Sequence, residues 1–243
     1  MNRFLELPRS MLRRFGLDVV RYSGPSTRAD LRRLDAIRRN HVDVVLDIGA
    51  ADGAFGHKLR QSGYGGRIVS FEPLAESYEA LRRAASTDPL WQTVHAAVGE
   101  YDGEAVMNVS GRSTSSSLLP MSASHVAAAP ESGYVASERV PVRRLDLVLG
   151  ELMPGNCHGL CCIKIDVQGY ERSVLDGAPE TLKATPVIEL EVSMIPLYEG
   201  SALCAEMIAR LDNLGFSVIS WEDVLTDPQT GYVLQADCIF VRE

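Results

Sequence analysis

The chain has 243 residues, of which 46% are hydrophobic and 23% are charged. These are ordinary values for a globular protein, and they exclude the disordered and fibrous classes. The net charge of −8 argues against nucleic acid as the main partner, because nucleic-acid binding requires a broad basic face. No apolar run approaches the roughly 18 residues of a transmembrane helix, and the N-terminus lacks the apolar core of a secretory signal. The odd number of cysteines, five, favours reduced thiols and a cytoplasmic location.

The first part of the chain is basic, and its pattern is helical. Residues 1–41 contain ten arginines and four acidic residues, and apolar side chains recur at helical spacing before and after a break at 23–26. We expect this N-terminal basic helical segment to act as a cap over the sheet that follows. The alternative is that residues 1–20 contact an anionic membrane surface, which would make the protein peripheral at the inner face of the membrane.

From residue 42 the pattern changes to alternating strands and helices, which is typical of βαβ units and a parallel sheet. We therefore interpret 42–243 as one α/β domain. The predicted strands are 42–48, 67–72, 92–98, 104–109, 140–149, 161–167, 187–192, 216–221 and 235–241, and the main predicted helices are 27–39, 75–85, 172–176 and 202–214. A polar, alanine-rich tract without clear elements lies between 110 and 139, and indicates either a functional loop or a plain insertion.

A glycine-containing turn follows the first predicted strand, at the position where open α/β sheets bind nucleotides. Gly49 and Gly53 do not spell the fingerprint of dinucleotide sites, and no phosphate-loop sequence follows them. Asp47 and Asp52 would repel a pyrophosphate but would suit an ammonium group. Glu72, 23 residues after Gly49, ends the second strand, where a carboxylate can accept both ribose hydroxyls. An amino-acid head and a ribose together indicate S-adenosylmethionine, and the alternative is a purely structural turn.

Four stretches of the chain resemble successive motifs of the FkbM family of S-adenosylmethionine-dependent methyltransferases. They are residues 47–55 (DIGAADGAF), 71–73 (FEP), 144–146 (RLD) and 164–171 (KIDVQGYE). The resemblance covers about residues 42–241 and implies a class I methyltransferase (Rossmann-like) fold, with a seven-stranded sheet whose last strand is antiparallel. Many relatives methylate sugar hydroxyls of natural products or glycolipids. Two positions depart from the family pattern: Ala51 stands where asparagine is usual, and Glu189 places a charge inside the fifth strand.

The turn and the resemblance together give a set of candidate residues for binding the cofactor. These residues are Asp47, Gly49, Asp52, Gly53, Phe55, Glu72 and Pro73.

Two carboxylates at strand ends are the main catalytic candidates. Asp166 ends the fourth strand, which lies beside the first strand in this topology, and Glu191 is near the end of the fifth. One of them could accept the proton of an attacking hydroxyl. Alternatively, the pair could hold Mg²⁺, although the sequence indicates no metal site. A third interpretation makes Asp166 only the cap of the next helix.

Histidine and serine residues are further candidates around the acceptor. His95 falls in the third strand near the expected adenosine edge, and a packed or solvent-facing histidine is the alternative. His125 lies in the tract between 110 and 139 and could serve as the base if that tract closes over the substrate. Ser115, Ser116 and Ser117 resemble a serine-rich patch of the family, and their hydroxyls would suit hydrogen bonding to a sugar. The alternative is a solvated loop.

The sequence therefore predicts an S-adenosylmethionine-dependent O-methyltransferase that acts on a sugar hydroxyl, such as a deoxyhexose of a glycolipid or of another glycosylated natural product. Its partner would be a small-molecule or lipid-linked sugar acceptor, not nucleic acid. The alternatives are an N- or carboxyl-methyltransferase acting on a small molecule, and a non-catalytic S-adenosylmethionine-binding protein of the same fold.

Overall fold

The computed structural model describes residues 29–153 and 159–242. The strands are β1 (Val44–Ile48), β2 (Arg67–Phe71), β3 (Trp91–Val94), β4 (Ala97–Val98), β5 (Gly103–Ser110), β6 (Tyr134–Arg143), β7 (Cys161–Ile165), β8 (Val187–Ser193), β9 (Phe216–Thr226) and β10 (Val233–Arg242). The α-helices are α1 (Ala29–Arg39), α2 (Ala54–Gln61), α3 (Ala75–Ala85), α4 (Ala123–Ala128), α5 (Leu145–Leu152), α6 (Glu171–Asp176), α7 (Pro179–Lys183) and α8 (Cys204–Asn213).

The main sheet has seven strands in the order β3-β2-β1-β7-β8-β10-β9. Neighbouring strands are parallel from β3 to β8, and β10 is antiparallel to both β8 and β9. β7, the fourth strand of this sheet along the chain, lies beside β1, and β8 lies beside β7, as the sequence predicts. The predicted class I methyltransferase fold, with its last strand antiparallel, is confirmed.

Helices cover both faces of the main sheet, and its central strands are buried on both sides. β1 and β7 are buried along their whole length. α1, α2 and α3 pack on one face through Ile37, Leu59 and Leu81. α5, α6, α7 and α8 pack on the opposite face, through residues such as Val148 and Leu211. The carboxyl ends of β1, β2 and β7 are therefore held rigidly at one edge of the sheet.

Two predicted strands differ from the observed ones. The predicted strand 92–98 is divided, because β3 pairs with β2 whereas β4 leaves the main sheet and pairs with β6. The predicted strand 140–149 ends at Arg143, and α5 follows it with Leu145, Val148 and Leu149 buried on one helical face. The period of a short apolar run does not distinguish a strand from a buried helix, which explains this error.

The tract between 110 and 139 contains regular structure, so the prediction of a tract without elements is wrong for most of its length. It holds 3₁₀ turns at Ser113–Ser115 and Pro130–Ser132, helix α4 and the first part of β6. β6 is the central strand of a second sheet with the order β4-β6-β5. Residues of this sheet and of the tract form one wall of the cleft described below.

Helix α1 is the part of the N-terminal segment that the structure describes, and it lies close to the predicted bounds 27–39. The other predicted N-terminal helix and the expected membrane contact through residues 1–20 lie outside the described residues. In the described ranges, no helix has both the length and the apolar character needed to cross a membrane.

Candidate active site

Two glycines shape the turn after β1. Gly49 has a φ of +83° and Gly53 a φ of +88°, in the left-handed region that side chains rarely adopt. A Cβ at Gly49 would lie 1.9 Å from the carbonyl oxygen of Asp166. Only glycine therefore allows the loop after β1 to approach the loop after β7 this closely. Gly53 immediately precedes α2.

Glu72 follows β2, and its carboxylate accepts hydrogen bonds from two backbone groups. Oε2 accepts one from the N–H of Ala51, and Oε1 accepts one from the N–H of Leu74, both at 2.9 Å. Burial of this side chain raises the pKa of Glu72 to about 7, because desolvation outweighs the two backbone hydrogen bonds. A carboxylate oxygen can accept more than one hydrogen bond, so Glu72 keeps capacity for hydroxyl donors of a ligand.

A cleft opens at the carboxyl ends of β1, β2 and β7. Gly49, Glu72 and Pro73 line it, and so does Asp166. Its other lining residues include Ala51, Leu74, Ser77, Ala96, Ala97, Val98, Met107, Ser113, Thr114, Ser116, Leu118, Val167, Gln168 and Tyr170. No arginine, lysine or histidine is found among the described residues that line it. The cleft thus brings together three of the predicted cofactor residues and the main catalytic candidate.

Asp166 follows β7, and both of its carboxylate oxygens have partners. Oδ1 accepts a hydrogen bond from Nε2 of Gln168 at 2.8 Å, and Oδ2 lies 3.1 Å from Nζ of Lys164. Burial alone would lower the pKa of Lys164. The negative charges of Asp166 and Asp47 outweigh this effect of burial, so the pKa of Lys164 is raised. The interpretation of Asp166 as a helix cap is not supported, since α6 begins at Glu171 without a side-chain cap.

Glu191 lies behind Gln168 and is not among the described residues that line the cleft. Its Oε2 accepts hydrogen bonds from Nε2 of Gln168 at 2.7 Å and from Nε2 of Gln235 at 3.0 Å. Burial raises the pKa of Glu191, and the neighbouring charge of Asp166 raises it further. An amide N–H donor therefore occupies the space between the two carboxylates that were expected to cooperate. Among the described residues, no group of three His, Cys, Asp or Glu side chains could hold a metal ion.

Asp47 faces the interior of the protein rather than the cleft. It is fully buried, accepts a hydrogen bond from Oγ of Ser70 at 3.0 Å, and lies 3.8 Å from Nζ of Lys164. Burial raises its pKa, and the charge of Lys164 opposes this rise. The expectation that Asp47 contacts an ammonium group is thus corrected, because its place in the buried strand β1 directs its side chain to Lys164.

Asp52 and Phe55 also lie outside the lining of the cleft. Asp52 is exposed, and its Oδ1 accepts a hydrogen bond from the N–H of Ala54 at 3.1 Å, at the start of α2. The ring of Phe55 lies 5.1 Å from the guanidinium of Arg33 and 5.3 Å from Nζ of Lys164. In this structure Asp52 lies at the start of α2 and Phe55 packs against Arg33 and Lys164, so the predicted contact of these two residues with a cofactor stays a prediction.

Neither histidine candidate lines the cleft. His95 is exposed, with Nε2 3.0 Å from the carbonyl oxygen of Pro73 and its ring stacked on Tyr78. His125 lies on α4 and is buried, with its ring edge-to-face against Tyr198. Burial lowers the pKa of His125. The expectation that His125 lies in a tract without regular structure is wrong, because its segment is a helix on which His125 is buried.

The serine-rich stretch is divided between the cleft and the interior. Ser116 lines the cleft, together with Ser113 and Thr114, which no sequence pattern indicates as site residues. Ser115 and Ser117 face away from it: Ser115 Oγ lies 3.1 Å from Oγ of Ser132, and Ser117 Oγ donates to the carbonyl oxygen of Gln168. All three predicted serines are buried, so the alternative of a solvated loop is wrong, and their contact with an acceptor stays a prediction.

The chain is similar to one protein family and to several solved structures. The profile of the methyltransferase FkbM domain matches residues 47–218. None of the curated proteins matches the chain. The precorrin-6y C5,15-methyltransferase of Geobacter metallireducens shares 14% identity over 92% of this chain and 93% of its own, with a TM-score of 0.45. The N-terminal domain of human METTL16, solved in complex with SAH, shares 10% identity over 98% of this chain and 80% of its own, with a TM-score of 0.46.

The matched profile covers more than half of the chain, and all four motif stretches lie inside or at the edge of it. The protein is therefore a methyltransferase that belongs to the FkbM family.

Proposed function

We propose that the protein transfers the methyl group of S-adenosylmethionine to a hydroxyl group of a neutral sugar. The observation that carries the proposal is the position of the Asp166 carboxylate in the lining of the cleft. No arginine, lysine or histidine is among the described residues that line this cleft. When bound, S-adenosylmethionine would supply an activated methyl group on a sulfonium centre. The protein then has to hold the two reactants in line and to accept the proton of the hydroxyl.

The residues around the turn fit this cofactor. Glu72 presents a carboxylate with capacity for the two ribose hydroxyls, and its position is fixed by the N–H groups of Ala51 and Leu74. Gly49 and Ala51 line the cleft with backbone and small side chains, which leaves space for a ligand against the turn. The carboxylates of Glu72 and Asp166 also favour a ligand with cationic groups over one with a pyrophosphate.

The wall opposite the turn suits a polyhydroxylated and uncharged acceptor. Ser113, Thr114 and Ser116 line the cleft, and the hydroxyl groups of the exposed Ser113 and Thr114 can donate or accept hydrogen bonds, whereas Oγ of Ser116 already accepts one from the N–H of Ser110. A carboxylate acceptor would meet the carboxylates of Glu72 and Asp166, and no cation is among the described residues that line the cleft. Lys164 lies behind Asp166 and is shared between Asp166 and the buried Asp47. This charge distribution favours a sugar hydroxyl over the alternative of a carboxyl-methyltransferase.

The test is methyl transfer from radiolabelled S-adenosylmethionine to model acceptors. We expect transfer to methyl glycosides of hexoses or 6-deoxyhexoses, or to a lipid-linked 6-deoxyhexoside, and none to a carboxylic acid or an amine of similar size. Asp166→Asn should lower the rate about 10²- to 10⁴-fold with the affinity for S-adenosylhomocysteine nearly unchanged. Asp212→Asn, at an exposed position on α8, is the control. Transfer to the acid or the amine alone, or full activity of Asp166→Asn, would contradict the proposal.

A separate arm of the same experiment tests the Mg²⁺ alternative. Treatment with EDTA followed by addition of Mg²⁺ would abolish and then restore transfer if a divalent cation activated the hydroxyl. We expect the rate to be insensitive to EDTA, because the Gln168 amide lies between the two carboxylates that would have to bind the cation.

A further inference from the structure

Gln168 has a backbone conformation that is unusual for its residue type. Its φ is +55°, and Gly169 follows with a φ of +97°. A Cβ at Gly169 would lie 2.9 Å from Cβ of Tyr198, so this loop is also packed closely. A non-glycine residue in the left-handed region has a higher conformational energy, and it keeps this conformation only where the surrounding structure holds it in place. Such residues are frequent at functional sites.

The side chain of Gln168 has a partner at each polar atom. Nε2 donates to Oδ1 of Asp166 at 2.8 Å and to Oε2 of Glu191 at 2.7 Å. Oε1 accepts from the hydroxyl of Tyr198 at 2.7 Å. The backbone carbonyl accepts from Oγ of Ser117 at 2.6 Å. A buried amide with both N–H groups and its carbonyl engaged has one orientation available to it.

We propose that Gln168 is a positioning residue, which holds the Asp166 carboxylate toward the cleft by bridging it to the buried Glu191. This inference deepens the proposed function and rests on it, since it assigns Gln168 a role through Asp166. Lys164 fixes one oxygen of Asp166 and Gln168 fixes the other, so the carboxylate cannot rotate away from the cleft. Glu191 anchors the bridge from β8, the strand next to β7.

The contacts explain why an amide serves this role. The Tyr198 hydroxyl donates to Oε1, which directs Nε2 and its two protons toward the two carboxylates. A glutamate at this position would add a third carboxylate to Asp166 and Glu191, and a leucine would leave both without this donor. Tyr198 and Ser117 are both buried, so they hold the bridge from the side away from solvent.

The bridge can be tested by NMR in the absence of any ligand. In protein labelled with ¹⁵N-glutamine, Gln168→Leu identifies the side-chain amide signals. We expect the Gln168 amide protons to exchange with solvent at least about tenfold more slowly than those of Gln229, which is exposed. Asp166→Asn and Glu191→Gln should each shift mainly the NMR signal of one of the two Gln168 amide protons, and Tyr198→Phe should shift the signals of both. Exchange as fast as that of Gln229, without a response to Asp166→Asn, would overturn the proposal.

The positioning role can be tested by kinetics with the model glycoside that is methylated. Gln168→Leu should lower kcat about 10- to 100-fold, with little change in KM and in the affinity for S-adenosylhomocysteine. Gln235→Leu is the matched control, because it removes the other amide donor to Glu191 without touching Asp166. We expect it to lower kcat less than about threefold. A wild-type kcat in Gln168→Leu, or an equal loss of kcat in Gln168→Leu and Gln235→Leu, would overturn the positioning role.

The two proposals fail in different ways. If the wild-type protein methylated no glycoside while the amide signals behaved as expected, the sugar acceptor would be wrong and the bridge would stand as a structural feature without this catalytic purpose. If glycosides were methylated and Gln168→Leu were fully active, the proposed function would stand and the positioning role would be wrong. Tyr198→Phe serves as the second variant if Gln168→Leu does not fold.

Discussion

The guanidinium of Arg33 on α1 forms a buried, two-pronged ion pair with the carboxylate of Glu189 in the middle of β8. Only 6% and 3% of the two side chains are exposed. This contact accounts for the charge that departs from the family pattern inside the fifth strand of the main sheet. It also ties the N-terminal segment to the methyltransferase domain, because α1 lies on the face of the sheet from which Glu189 projects.

We predict that breaking this pair destabilises the protein strongly. Glu189→Leu leaves the Arg33 charge buried without its main partner, and should lower the free energy of unfolding by about 3–5 kcal/mol. The double variant Arg33→Met/Glu189→Leu should recover most of this loss, because a well-packed apolar pair often replaces a buried ion pair without penalty. Urea denaturation measures both. A double variant as unstable as Glu189→Leu would contradict the prediction. Loss of the exposed pair Arg82–Glu79 is the control and should change little.

The sequence predicts the strands and helices of the main sheet because their signals are local, and the resemblance to the family implies the order of the strands. A short apolar run followed by a helical pattern indicates each βα unit. Helix α3, for example, has the predicted bounds, Ala75–Ala85. The turn with Gly49 and the carboxylate of Glu72 follow from their places after β1 and β2. These features depend on residues that are close together in the chain or on strand ends whose order the topology sets.

Other features depend on contacts that no local pattern contains. Strand β4 has two residues and is defined only by its pairing with β6. The ion pair between Arg33 and Glu189 joins residues 156 positions apart. The roles of Ser113, Thr114 and Gln168 depend on side-chain direction, and Gln168 in particular has a positive φ that its residue type does not suggest. The sequence therefore locates the site but does not determine which neighbouring side chains face it.

The close approach at Gly49 gives a second prediction. Gly49→Ala would place Cβ 1.9 Å from the Asp166 carbonyl oxygen, so the loops after β1 and β7 must separate. We expect a loss of more than about 2 kcal/mol in unfolding free energy, together with loss of cofactor binding. Gly200→Ala is the control, because Gly200 has a φ of +75° but no atom within 4 Å of its Cβ position. Gly200→Ala should lower the free energy of unfolding by only about 1–2 kcal/mol, which is the cost of a side chain in the left-handed region. Equal effects of the two substitutions would contradict the close approach.

A third prediction concerns the pH dependence of stability. Burial raises the pKa of Asp237 on β10 to about 7, and the charges of Glu189 and Asp166 contribute to the rise. Below about pH 4 the group is protonated in both the folded and the unfolded protein. Between about pH 4 and 7 only the folded protein keeps the proton, so the destabilising effect of Asp237 grows with pH and is complete above 7.

Asp237→Asn should therefore stabilise the protein by about 1–3 kcal/mol at pH 8 and by much less near pH 4. This corresponds to a rise in Tm of roughly 2–4 °C per kcal/mol. Thermal unfolding across this pH range measures the difference, with Asp212→Asn as the exposed control. A constant difference between Asp237→Asn and the wild-type protein at all pH values would contradict the assignment.

The pKa of Glu72 gives a fourth prediction, on cofactor affinity. In the proposed cofactor site the ionised carboxylate would accept hydrogen bonds from both ribose hydroxyls, whereas the protonated group offers fewer acceptor sites. Because the pKa of Glu72 is raised to about 7, the Kd for S-adenosylhomocysteine should be constant above this pH and rise toward tenfold per unit below it. Glu72→Gln should bind more weakly and without this dependence. A Kd that changed equally in both proteins would assign the titration to another group.

The most direct test of the central claim is calorimetry of the wild-type protein with S-adenosylhomocysteine and with NAD. We predict that S-adenosylhomocysteine binds with micromolar affinity and that NAD does not bind. Glu72→Ala should weaken the binding of S-adenosylhomocysteine by about 1–3 kcal/mol, because the ribose hydroxyls lose a charged acceptor. Tight binding of NAD without any response to S-adenosylhomocysteine would contradict the assignment of this cleft as the cofactor site of a methyltransferase.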